Sequence, residues 1–449
     1  MASDLLSIGA SGARAARSAL DVTAQNIANA ATEGYVRRGI RLEEVSAAAG
    51  AGRVGDISLA GVRATGVTRS VDAFRAAEAR RTSSDAARAQ AEVDGLRSVE
   101  SALEQSGVFD AVVEFEAALQ QLESDPVDPS LRAAALAGAE RLAGSFNIAA
   151  SSLEAANDNL RFEAQAGVEQ VNLFAQELAR INVRLTRVGP DTSEQASLFD
   201  QRDRILGELA ERADITTQID PLGLATVRIG GTGGDVLVAN DVAQSIGMET
   251  AADRTVSFTL GGNPLALNGG SLAGKALALQ QASAASTRLD ALADEIAAAV
   301  NSVQAGGVAL DGSPGQPLFA GSGAAGVAVA LLSGEELATA PAGAAAGSRD
   351  GTNLAAMRAA LANGVTGGGA ASRANGLIFD ISATVAAREV TAEALNTIAD
   401  SAHLALVEFT GVDLEEEAAA LVRYQQAFQA SGRVMQVASE IFDTIIGIG

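Results

Sequence analysis

GVDLEEEAAALVRYQQAFQASGRVMQVASEIFDTIIGI, residues 411–448, carries a bulky apolar side chain every seven positions: Leu414, Leu421, Phe428, Met435 and Phe442. Tyr424, Ala438 and Ile445 occupy the companion positions, and Ile441 adds to the stripe. A sustained seven-residue repeat marks one helix face that needs a second helix to cover it. The three acids Glu415, Glu416 and Glu417 open the segment, where negative charge meets the positive end of the helix dipole.

The partner is expected at the opposite end of the chain. Leu5, Ile8, Gly12, Ala15, Ala19, Val22, Asn26 and Asn29 step by three and four, the spacing of one helix face. Side chains this small let a bulky neighbour approach closely. The paired ends, 1–35 with 411–449, are therefore expected to form a coiled-coil core, disordered in the isolated monomer because one-sided stripes bury fully only in an assembly. Asn26 and Asn29 are expected as polar register devices on that seam, with Ile27 beside them. Gly34 is suited to the left-handed conformation that ends a helix, and Tyr35 to packing or hydrogen bonding at the exit.

Working inward, residues 36–70 alternate like a hairpin, near 50–70, with Ile57, Leu59 and Val62 as its apolar positions. Helical spacing returns from Val71, halts at Asp125-Pro126-Val127-Asp128-Pro129, and resumes from about Ser130 towards Val188. A shorter helix carries LFDQRD, 198–203. Four alternating runs separated by Gly, Asn and Asp make 214–269 a small β domain. Helical pattern covers 270–304 and 376–410, whereas 305–375 is Gly and Ala rich and reads as loops with a reduced outer region. The fold class is thus mainly α with a β insert (α+β). Its helical domain, 36–213 with 270–304 and 376–410, is built from both halves of the chain.

The 449 residues suffice for about three domains, and 48% apolar content supports a core, but only 3% is aromatic. The formal charge is −23 with no long basic run, so the phosphates of nucleic acid are an unsuitable partner. Arg37, Arg38 and Arg41 read as a solvated turn. No stretch reaches the ~18 apolar residues of a membrane span, and the N-terminus lacks the basic and apolar regions of a cleaved signal.

With no Cys and one His, thiolate or two-histidine metal sites are impossible, and no cofactor is expected. His403 reads as a helix-face side chain packed at a domain interface, without partners for a triad. Two Gly-x-Gly-x-x-Gly strings, 50–55 and 321–326, lack the strand-turn-helix context of a dinucleotide site. Asp125 with Asp128, Asn157-Asp158-Asn159 and Asp311-Gly312-Ser313 read as turns or solvated faces. The enzymatic alternative is a carboxylate site using Asp200 and Asp203 between helical and β domains; no catalytic or metal residue is otherwise assigned.

The two ends together resemble the axial proteins of the bacterial flagellum. NIANAATEGYVRR (Asn26–Arg38) is similar to a motif shared by rod, hook and hook-associated proteins. The segment 411–448 looks like the first hook-associated family in particular. TGVTRSVDAF (65–74), LFDQRDRILGEL (198–209) and GGSLAGKALAL (269–279) extend the likeness. The region after GSLAG is bulkier and β-rich in that family and short here. The resemblance implies a non-enzymatic, extracellular flagellar component exported through the flagellar channel without a cleaved signal. It also implies assembly with copies of itself in a ring, with hook protein and with the second junction hook-associated protein, after contact with the export apparatus and an export chaperone. Another axial component, such as hook protein, distal rod or the second hook-associated protein, is the alternative. The interface residues it points to are Leu5, Ile8, Ala15, Ala19, Val22, Asn26, Ile27, Asn29, Gly34, Tyr35, Leu414, Leu421, Tyr424, Phe428, Met435, Ala438, Ile441, Phe442 and Ile445.

Overall fold

The computed structural model describes residues 2–32, 34–46, 59–231, 233–366 and 368–447. Ile57 and the 50–55 glycine string lie outside the described residues, as does the side chain of Ile445. The helices are α1 (Ala2–Asn29), α2 (Ala73–Glu104), α3 (Val108–Ser124), α4 (Pro129–Leu185), α5 (Ser193–Arg212), α6 (Gly270–Ala305), α7 (Gly323–Gly326), α8 (Thr352–Asn363), α9 (Ala370–Thr410) and α10 (Leu414–Gly447). The strands fall in small antiparallel sheets: β1 (Arg38–Ser46) with β2 (Leu59–Arg69); β3 (Ile215–Ile219), β4 (Ala225–Ile229), β5 (Asp235–Ala239) and β6 (Val242–Ala243); β7 (Ile246–Thr250), β8 (Val256–Leu260) and β9 (Asn263–Leu265). Two-residue pairs β10 (Gly307–Val308) with β13 (Ala340–Pro341), and β11 (Phe319–Ala320) with β12 (Ala328–Val329), complete them. The fold is mainly helical with small β elements.

Two compact units share the chain: unit 1 holds residues 1–84, 170–245 and 396–449, and unit 2 holds 85–169 and 246–395. The β region expected as one domain is divided between them. β3–β6 belong to unit 1, where Asn182 of α4 replaces a strand partner: its amide donates to the carbonyls of Ala225 and Asn240, and its Oδ1 accepts from the Ala225 amide. β7–β9 belong to unit 2. The hairpin begins earlier than expected, at Arg38, and a bulge interrupts its register between Arg41 and Leu42.

Unit 2 is built around Leu96, Val99, Phe115, Leu119, Phe146, Leu153, Leu289 and Ile296. α2 and α3 are separated at Gly107, which adopts φ 66°. The glycines of the GGSLAGKALAL string explain themselves by close helix approach. A Cβ on Gly274 would lie 2.2 Å from the Arg88 carbonyl, and one on Gly95 2.4 Å from the Ala278 methyl. α6 and α2 therefore touch backbone to backbone, a spacing only Gly and Ala allow.

The reading of 305–375 as loops needs correction. α8 lies within it, and Leu318, Phe319, Leu331, Leu337, Leu354, Met357 and Leu361 are core residues of unit 2. Frequent glycines masked these short elements, whose apolar positions are too few for a period to show. Arg132, fully enclosed, holds the segment in place. Its guanidinium donates to the carbonyls of Pro126, Gly334, Glu335 and Leu337 and to the Thr339 hydroxyl at 2.6–3.3 Å. Arg132→Met keeps the stem but strands those acceptors, so a loss of about 3 kcal/mol is expected, read from urea unfolding of the full chain. A change below about 0.5 kcal/mol would show that the guanidinium is dispensable.

The second glycine string, 321–326, is followed by strand β12 as expected, and after strand β11 the string itself holds the four-residue α7. Its first amides are taken by carboxylates of α6: Gly323 N donates to Asp294 and Ala324 N to Asp290, both at 2.7 Å. An anion is excluded there by charge.

Candidate functional site

The chain ends meet in unit 1, α10 lying along α1 while β2 flanks α1 as well. The contact relies on small residues. A Cβ on Gly9 would stand 2.7 Å from Met435 Cγ, and one on Gly12 would stand 2.7 Å from Ser431 Oγ. On the hairpin side Gly61, at φ 95°, comes within van der Waals reach of Ser11 and Ile8, and the Val62 amide donates to Ser11 Oγ. Ala15, Ala19 and Val22 are buried on α1, together with Gly9, Ala16 and Thr23.

On α10 the buried row is not the bulky one. Glu417 and Ala438 are buried and Tyr424 and Ser431 half-buried, and these four positions themselves repeat every seven residues. Leu421 and Met435 are half-buried beside them. Leu414, Phe428 and Phe442 remain 54%, 44% and 46% exposed, with Val422, Val434, Val437 and Ile441 also open. On α1, Leu5 and Ile27 are exposed and Ile8 is half-buried. One chain thus covers the small side of α10 and leaves its large apolar side bare.

The asparagines act otherwise than as register devices. Asn26 is 1% exposed, and its amide donates to the Arg38 carbonyl while its Oδ1 accepts from the Arg38 amide and the Tyr35 hydroxyl, at 2.8–3.0 Å. It thereby pins the chain leaving α1 back onto α1. Asn29 closes the last turn of its own helix, donating to the Gln25 carbonyl and accepting from Thr32 Oγ1. Gly34 adopts φ 74° and is exposed. Burial pushes the Tyr35 phenol above its ordinary range, the Arg38 charge opposing it.

Arg37 and Arg38 are not a solvated turn. Arg37 Nε lies 2.7 Å from Glu417 and Nη1 2.9 Å from Glu416, while its backbone amide donates to the Thr410 carbonyl at the corner between α9 and α10. The hydrogen bond that Arg37 donates to Glu417 raises the Arg37 pKa further. A clasp 380 residues apart in sequence therefore joins the exit of α1 to the start of α10. Glu417, 2% exposed, has a structural duty beyond the helix dipole; its place on the heptad with Tyr424, Ser431 and Ala438 was the available signal.

Arg38 continues into a second set of charges. Its Nη2 meets Asp200 at 2.9 Å, Arg69 reaches Asp200 at 2.7 Å and Asp203 at 2.9 Å, and Arg202 reaches Asp203 at 2.7 Å. Tyr35 stacks on Arg38, and Phe199 lies between Arg69 and Arg202. Burial pushes the Asp200 carboxyl up while Arg69 and Arg38 pull it down. Carboxylates held this way act as counter-ions to the buried guanidinium groups of Arg38 and Arg69. His403 is exposed on α9, where a packed side chain was expected. Among the described residues no group of three His, Asp or Glu side chains could hold a metal ion, and no helix is long and apolar enough to cross a membrane.

Arg69 and Asp200 belong to two strings, TGVTRSVDAF and LFDQRDRILGEL, that the fold brings together, and comparison with known proteins agrees. The flagellar hook-associated protein FlgK helical domain matches residues 96–319, the flagellar basal body rod FlgEFG protein C-terminal domain matches 405–448, and the flagella basal body rod protein domain matches 6–35. Flagellar hook-associated protein 1 of Escherichia coli (strain K12) is 29% identical over 71% of this chain and 60% of its own length. That of Bacillus subtilis (strain 168) is 25% identical over 97% of this chain and 96% of its own. The match thus spans less than two thirds of the Escherichia coli relative. The flagellar hook junction protein FlgK from Burkholderia pseudomallei has the same fold, with a TM-score of 0.65 at 14% identity over 73% of this chain and 98% of that one. The chain belongs to the flagellar hook-associated protein 1 (FlgK) family.

Proposed function

We propose that this chain is a non-enzymatic structural adaptor of the bacterial flagellum that joins hook to filament by assembling as a ring at the hook tip. The observation that carries it is the bare apolar row of α10, Leu414, Phe428 and Phe442, beside a small-residue row already used within the chain. A contiguous apolar strip of this kind marks a protein interface. Sister copies fit it, because each copy presents the same strip. The hook protein below, the second junction hook-associated protein above, and an export apparatus with its chaperone are the further partners of this reading.

The end-specific matches describe rod proteins, so the ends alone suit any axial component. The helical domain match at 96–319 favours the junction role over hook or rod. A deletion strain is expected to build hooks without filaments and to shed unpolymerised flagellin into the medium. Normal filaments in that strain would refute the junction role, and missing hooks would move the chain to an earlier place in the axis.

A further inference from the structure

The β1–β2 hairpin, which flanks α1, is fastened within unit 1 at two points. The first is the turn after α4. The Val67 amide donates to the Asp191 carbonyl at 2.8 Å, and Arg41 stands 3.6 Å from the Asp191 carboxylate. Gly66 leaves no room between them, since a Cβ there would lie 2.2 Å from Asp191 Cβ. Asp191 itself is held at φ 58°. The second is the lattice in which Arg38 and Arg69 grip Asp200 and Asp203 of α5.

We propose that these two fastenings form an orientation lock that sets the direction in which the paired ends leave the rest of unit 1, so that the start of α10 at the Arg37–Glu417 clasp is aimed one way before assembly. The purpose rests on the proposed assembly role; the lock itself does not. Ion pairs between a planar guanidinium and a carboxylate are directional, whereas apolar contact permits sliding. Two separated fastenings on one stiff hairpin remove rotation about either. The stacking of Tyr35 on Arg38 and of Phe199 on Arg69 and Arg202 restricts the guanidinium planes as well.

The lattice is also poorly arranged for stability alone. Arg38 and Arg69 each keep a buried Nε without a hydrogen-bond partner, and Arg80, close to Asp203 and Arg202, adds a further buried positive charge. Folded proteins rarely leave such donors unsatisfied. Buried ionic groups retained at a loss in stability are best attested where they specify register or geometry.

The chain has no cysteine, so Gln218→Cys on β3 and Ala418→Cys, next to the Glu417 clasp on α10, give a single pair of spin-label sites in the whole chain. The parent pair is expected to show one narrow distance distribution. Arg38→Met/Arg69→Met/Asp200→Leu replaces the lattice by apolar side chains of similar reach. It is expected to melt no earlier than the parent, with a distribution about twofold wider or more as direction is lost. Asp200→Asn, which keeps shape and volume, is expected to widen it too and serves if the triple variant does not fold. A distribution as narrow as the parent's in either folded variant would overturn the lock. Because the measurement needs no flagellum, failure of the junction role would leave its outcome unaffected.

Discussion

Leu414→Ser/Phe428→Ser/Phe442→Ser is expected to leave the soluble protein's unfolding free energy within about 0.5 kcal/mol of the parent, and to abolish filament growth on the hook. The two halves of this result come from the same observation. These side chains are about half exposed within one chain, so the folded monomer gains little from them. In the proposed ring they would become buried against sister copies, and each fully buried large apolar side chain contributes about 1.5–3 kcal/mol. Urea unfolding with a motility and secreted-flagellin assay checks both halves. A variant that unfolds early, or one that still carries filaments, would separate the strip from assembly.

Asp200→Ala carries the largest expected loss in stability, about 3–5 kcal/mol, because it leaves Arg38 buried without a carboxylate and Arg69 with only Asp203. Arg288→Ala is the control: its partner Asp380 is exposed, as it is itself, and the expected loss is at most about 1 kcal/mol. Chemical denaturation of the two variants beside the parent decides the matter. Equal losses would mean that burial gives the Asp200 pairs no special weight.

Much of this was legible before any coordinates, where a period or a breaker spoke clearly. The helical spacing read from about Ser130 towards Val188 is α4, which ends at Leu185 with Val171, Leu178, Ile181 and Leu185 buried and Phe174 half-buried, and Pro126 and Pro129 do separate α3 from α4. The seven-residue repeat announced a helix at the C-terminus and a partner for it. It did not say which row of that helix faces the partner, because Gly9 and Gly12 admit the small row and the side of α10 carrying Phe428 is left over. A period identifies a face, and only the depth of the groove opposite determines what fills it.

Charged positions were harder to read. Arg37, Arg38, Asp200 and Glu417 resemble surface residues one by one, and their meaning lies in partners 162 or 380 residues away. Asn26 was read as a register device on the seam, yet its amide serves the segment just after its own helix. Residues 305–375 were misread because Ala and Gly outnumber the apolar anchors Leu354, Met357 and Leu361 that give α8 its place in the core.

The central claim is that the bare side of α10 is covered by sister copies and not by its own chain. We propose that order in the dilute monomer fades outward from the Arg37–Glu417 clasp, where charged contacts fix the start of α10. The most direct measurement is amide hydrogen exchange along α10, made on the soluble protein and again on protein docked to purified hooks. The expected result is fast exchange beyond Leu421 in solution and strong protection of the same amides after docking. Protection already complete in the dilute monomer, or fast exchange persisting on the hook, would contradict the account.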